Sequence, residues 1–217
     1  MKLAVLLVAL AALLGATPTP TPSPARPQAP VRPVPAAGAA AVQPVTIVIV
    51  YRVDAVTRIA RLGSELAIGP GRLVAEIDLV NGTITGDLTL PVADGYFVVF
   101  GFVPTTAKTH MTPIGKVTGT IAAGDIRAHS EIDLRLDDVA VNAQPLGVGP
   151  ACRAAQPLSL DVSGPFDLMA TVLKGTYDIP AFGGCQDRER LDPLMTGLVS
   201  GPGNTIELTL TALPEGS

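Results

Sequence analysis

The sequence predicts an all-β domain, and three observations carry that expectation. Apolar and polar residues alternate with period two over long stretches. Turn signals separate those stretches: Asn81-Gly82, and Gly-Pro at Gly69-Pro70, Gly149-Pro150, Gly164-Pro165 and Gly201-Pro202. No window sustains the 3.6-residue apolar spacing of a helix. About nine or ten strands with short links predict an antiparallel β-sandwich, with a partly closed β-barrel as the alternative.

The chain opens with Met1 and Lys2, followed by an unbroken apolar run over residues 3–14. That run is shorter than the about 20 residues of a membrane-spanning helix and has the length of a signal h-region. Residues 1–16 are therefore expected to be a signal peptide cut near Ala16, leaving no transmembrane span; an uncleaved anchor is the alternative. Residues 17–44 follow as a Pro-, Thr- and Ala-rich tether. Eight of the 21 prolines fall between Pro18 and Pro35. Each fixes φ and removes a backbone donor, so the segment favours extended polyproline II with a reach of roughly 85 Å. This order of leader, tether and domain predicts export to a bacterial cell surface, cell wall or the medium.

Residues 45–217 are expected to form one β-sandwich domain. With Lys2, Arg26 and Arg32 set aside it holds 12 basic and 19 acidic residues, a formal charge of −7. An acidic domain without a Lys/Arg cluster argues against nucleic-acid binding. Cys152 and Cys185 are the only cysteines. An even pair in an exported chain reads as a disulfide, since a metal site needs further soft ligands that His110 and His129 are not spaced to supply.

The alternation places specific residues inward. In residues 72–80, Leu73, Ala75, Ile77 and Leu79 share one face. The Asn81-Gly82 hairpin then leads into residues 84–90. In residues 126–136 Ile126, Ala128, Ile132, Leu134 and Leu136 face in, with Arg127, His129, Glu131, Asp133 and Arg135 out. Residues 205–212 place Ile206, Leu208 and Leu210 inward. Asp192-Pro193 is read as the N-cap and first position of one short helical turn. Residues 45–53 and 96–103 are apolar on both faces, and the second holds four of the domain's eight aromatics. Burial on both sides is the favoured expectation for them; an exposed face would make a binding surface. Its residues are Tyr96, Phe97, Phe100 and Phe102, with His110 in the neighbouring loop-like stretch 105–112.

The chemistry-bearing residues form no recognised catalytic motif. No serine sits in a Gly-x-Ser-x-Gly elbow; Ser200 comes closest. His129, Glu131 and Asp133 make a same-face row that reads as a solvated strand face, with proton or cation handling as the alternative. Asp137 and Asp138 are adjacent and are expected on opposite sides of their strand. Asp187, Glu189 and Asp192 are interleaved with Arg188 and Arg190, which suits a surface loop better than a calcium site. No catalytic residue, cofactor or metal is assigned.

Three strings carry a resemblance: residues 148–153 (VGPACR), 177–185 (YDIPAFGGC), and 191–194 (LDPL) followed by 200–204 (SGPGN). Through them the C-terminal part, residues 114–213, resembles uncharacterised secreted β-rich proteins of high-GC actinobacteria. The resemblance implies a secreted β domain with one disulfide and carries no catalytic residue over. The expected function is that of an exported, non-enzymatic envelope or extracellular binding protein, its partner a protein, glycan or lipid. An apolar-ligand carrier is the alternative, and an extracellular hydrolase using the His129 row is the weaker one.

Overall fold

The computed structural model describes residues 45–214, which form one compact unit; the expected signal peptide and tether lie outside the described residues. Long strands dominate: β1 (Thr46–Ile59), β2 (Ser64–Asp78), β3 (Thr83–Thr89), β4 (Ala93–Val99), β5 (Val103–Ala122) and β6 (Asp125–Val141). Two short pieces, β7 (Gln144–Pro145) and β8 (Arg153–Ala154), precede β9 (Leu158–Pro165) and β10 (Ala170–Ile179). The chain ends with β11 (Phe182–Gly183), one helix α1 (Asp192–Val199) and β12 (Gly201–Ala212).

All strand pairing is antiparallel, within one sheet. Its path runs β6-β9-β10-β12-β1-β2-β3-β5, and β5 pairs back onto β6. The sheet thus closes into a barrel, the architecture expected second; the two-layer sandwich expected first is not what forms. The reason lies in strand length. β5 has 20 residues and β6 has 17. Each is long enough to run the full height of one wall and pair on both edges, so no second sheet is needed to cover the apolar face.

The inward pattern follows the sequence closely. Leu73, Ala75, Ile77, Ile132, Leu134, Leu136, Ile206, Leu208 and Leu210 are buried. Leu79 is not: β2 ends at Asp78, whose carboxylate accepts the backbone N–H groups of Val80 and Asn81 and turns the chain. Gly82 takes φ +62°, and a Cβ there would meet the Ile121 carbonyl. Burial on both faces fails for residues 45–53 and 96–103. In β1 Tyr51 and Val53 are buried while Val48 is exposed. In the second segment Phe97 and Val99 are buried while Tyr96 and Val98 face solvent. A barrel wall has one interior face only, so half of each doubly apolar strand is left outside.

The wall is interrupted on one side. β2 pairs with β3 only over Arg72–Asp78, and β4 pairs with β5 but not with β2. Between them the ladder breaks at Pro70 and Pro91, which have no N–H to give it. At the same height the β1–β2 register shifts, with Val53 opposite Gly71 but Ala55 opposite Ile68.

The disulfide Cys152–Cys185 is formed, with both sulfurs fully buried and S–S 2.02 Å. It joins the irregular β7–β8 region to the segment after β11. α1 is two turns long rather than one, and Leu191, not Asp192, is its N-cap. The Asp192 carboxylate is taken by the Cys185 N–H at 2.7 Å and by Arg190 at 3.0 Å. Arg190 and the Cys185 N–H hold that carboxyl below its ordinary range.

Candidate functional site: an apolar cavity and its rim

Inward-facing residues along the strands sort into layers. On β1, Val53 and Thr57 line two different cavities, and Ala55 lies between them. On β6, Ser130 and Leu134 do the same about Ile132, which is fully buried. Gly175 takes the equivalent place on β10, between Leu173 and Tyr177. Ala55, Ile68, Ile132 and Ile206 therefore plug the barrel at mid-height, with a chamber on each side.

The smaller chamber has a volume of about 80 Å³. Tyr51 and Thr171 reach it, but their hydroxyls donate to the Leu168 and Pro165 carbonyls. Ser130 Oγ is buried there without a hydrogen-bond partner.

The larger chamber holds about 430 Å³. That is within the roughly 300–1,000 Å³ typical of small-molecule sites. Its walls are Leu134, Leu136, Ala107, Met111, Phe97 and Ile179, with Met195 and Leu198 of α1 across one end. Polar atoms are few and mostly satisfied. Thr57 Oγ and Tyr177 Oη are 2.6 Å apart, and Thr57 also donates to the Thr205 carbonyl at 2.9 Å. With that proton committed, Tyr177 is the donor of the pair. Burial pushes the Tyr177 phenol above its ordinary value, and the Thr57 contact opposes this. Behind the wall, next to Tyr177, lies Asn204, only 1% exposed. Its Nδ2 donates to Tyr177 O (3.1 Å) and Gly201 O (2.8 Å), and its Oδ1 accepts the Ala60 N–H (3.0 Å).

Two residues line this chamber and also face solvent: Phe100, 76% exposed, and Leu194, 43% exposed. The cavity therefore reaches the surface between the β4–β5 turn and α1. Phe100 has φ +55° and Gly101 φ +78°. A bulky residue in the left-handed region is strained, and such strain concentrates at functional positions. Phe102, next along the turn, is also 76% exposed.

The sequence-expected surface thus divides. Tyr96, Phe100 and Phe102 are outside; Phe97 points into the cavity. His110 is not in a loop: it lies in β5, opposite Arg135. Its Nε2 is 2.8 Å from Asp137 Oδ2 but is not aimed to hydrogen-bond with it, while Arg135 donates to that same oxygen at 2.7 Å. His110 is therefore part of a charged cluster on the barrel wall, away from the apolar rim. Asp137 and Asp138 do not alternate as expected. Asp138 sits at φ +47° in a bulge between Thr106 and Lys108 of β5, so both carboxylates line one outer depression. Lys108 bonds Asp138 at 2.7 Å and holds its carboxyl below the ordinary value.

Of the row His129, Glu131 and Asp133, only His129 and Glu131 meet. His129 contacts Asp161 of β9 at 2.9 Å and Glu131 at 3.3 Å, while Asp133 pairs with Arg153 at 3.8 Å. Both His129 partners are acids, and Ser130 beside it points into the barrel. Ser200 is buried and donates to the Pro180 carbonyl at 2.6 Å, a structural role. Among the described residues no group of three or more His, Cys, Asp or Glu side chains is placed to hold a metal ion.

A cavity lined by the doubly apolar strands belongs to the alternative sequence reading, the apolar-ligand carrier. What that reading missed is its lining: Phe97 and Val99 contribute one face of residues 96–103 only, and most of the wall, such as Leu134, Leu136, Ala107 and Met195, comes from other elements. No family model, curated protein or solved structure matches the chain.

Proposed function

We propose that the protein is a non-catalytic, exported binding protein of a bacterial envelope that holds an apolar ligand in the wide half of its barrel. One observation carries this reading: the chamber of about 430 Å³, walled by aliphatic and aromatic side chains, with a surface mouth at Phe100 and Leu194. A cavity of this size serves no packing purpose. Unfilled apolar space destabilises a core by roughly 24 cal/mol per Å³. An apolar guest would recover those contacts. With both their protons committed, Thr57 and Tyr177 add one acceptor point against the wall, suited to the hydroxyl of a protonated acid or alcohol on a chain-like amphiphile. The disulfide accords with life outside the cytoplasm.

The test is native mass spectrometry of delipidated protein mixed with a saturated C16 fatty acid. One-to-one binding is expected. Ala107→Trp places an indole in the chamber and is expected to remove binding while the urea midpoint stays within the range of the parent. Wild-type protein that takes up neither this acid nor a C16 alcohol refutes the reading.

A further inference from the structure

The β4–β5 hairpin carries more apolar surface than cavity lining needs. Gly95 to Ala107 contains no charged residue, and Asp94 and Lys108 face each other across the base of the hairpin. Above that pair Tyr96 and Val98 point outward, and Phe100 and Phe102 form the tip. We propose that this tip inserts into the outer part of a lipid bilayer, so that the cavity mouth exchanges its ligand with the membrane rather than with water. This rests on the reading of the barrel as an apolar-ligand site.

Three arguments select a bilayer as the occupant. The first is area. A seven-residue strand spans about 23 Å and a two-stranded hairpin is about 10 Å wide, a footprint near 230 Å². A stable protein partner or second copy needs about 800 Å² per side. The second is depth. From Tyr96 to Phe100 the uncharged surface runs four residue steps, about 13 Å, close to one leaflet of a hydrocarbon core about 30 Å thick. Asp94, Lys108 and Asp138 then mark where insertion stops, because these charges stay in water. The third is continuity. Phe100 belongs both to the tip and to the cavity wall, so a tip seated in lipid opens the mouth directly onto acyl chains.

The attraction is apolar, because the domain is acidic and the tip has no cation cluster. Flotation of the full chain with phosphatidylcholine vesicles tests it. Wild-type protein is expected to float, no better when one third of the lipid is phosphatidylglycerol and no worse in high salt. The protein has no tryptophan, so Phe102→Trp supplies a single reporter whose emission is expected to shift blue on vesicles and to be quenched by brominated acyl chains. Phe102→Asp alters a side chain outside the cavity wall and is expected to lower partitioning by at least about tenfold, the order for one Phe left in water, with C16 acid binding retained. A wild-type chain that binds the acid but does not float overturns the docking proposal and leaves the cavity reading standing. Floating without acid binding does the reverse. Unchanged flotation of Phe102→Asp, binding only to anionic vesicles and abolished by salt, or a wild-type dimer that Phe102→Asp dissociates also overturns the docking proposal.

Discussion

Asn204→Ala removes the side chain that ties three segments together behind Tyr177 of the wide chamber. In the folded protein its amide donates to the carbonyls of Tyr177 and Gly201 and accepts the Ala60 N–H, so β10, β12 and the β1–β2 turn meet on one residue. Tyr177 is buried, so its carbonyl loses a partner where water does not replace it; Ala60 and Gly201 lie nearer the surface. One stranded buried group costs about 1–3 kcal/mol, and two lost but re-hydrated bonds add about 0.5–1.5 kcal/mol each. The expected loss is about 2–6 kcal/mol. For a domain of this size that lowers the urea midpoint by about 1–3 M and the melting temperature by roughly 4–24 °C. Asn204→Asp keeps the acceptor for Ala60 but sets a carboxylate against two carbonyls, and is expected to be at least as damaging. Urea unfolding followed by far-UV circular dichroism reads both variants. A loss under about 1 kcal/mol for Asn204→Ala would show that these three segments are held by strand pairing alone and would refute this account of the residue.

Three other perturbations have expected outcomes. Replacing Cys152 and Cys185 by alanine opens a loop between residues 33 apart in sequence; the expected loss is about 3–4 kcal/mol by loop entropy, read as a lower urea midpoint. Thr57→Val leaves the Tyr177 hydroxyl alone in an apolar wall and is expected to cost about 1–3 kcal/mol, whereas Thr57→Val with Tyr177→Phe removes both partners and should recover part of that loss in a double-mutant cycle. Asp54, Asp78, Asp138, Asp167 and Asp192 all have carboxyl pKa values lowered by hydrogen bonds in the folded chain. A lowered folded value contributes stability above the unfolded value and loses it as pH falls through the folded one. Urea midpoints should therefore drop below about pH 4, and Asp192→Asn should flatten part of that limb.

Much of the architecture was legible residue by residue. Ile132, Leu134 and Leu136 on β6 and Ile206, Leu208 and Leu210 on β12 are buried as their alternation says, because a pleated strand offers only two faces. The disulfide was legible because the chain offers only two cysteines. Other readings failed where geometry departs from strict alternation. Asp137 and Asp138 share a side because a bulge inserts one left-handed residue, and nothing in the dipeptide marks it. Phe97 and Phe100 were read together, yet one faces the cavity and the other caps its mouth. His129 meets Glu131 along β6, as same-face spacing says, and also Asp161 across the ladder on β9, which spacing along one strand does not reveal.

Local pattern thus determined that this protein is built of strands, which side chains those strands turn inward, and which two sulfurs join. Only the tertiary structure decided that the strands form one closed wall instead of two facing layers. That choice depends on how β5 and β6 pair along their whole length, a contact between edges that period-two alternation satisfies equally well in a sandwich. The chamber followed from it, since a barrel encloses the space that a sandwich would have filled with a second layer of side chains.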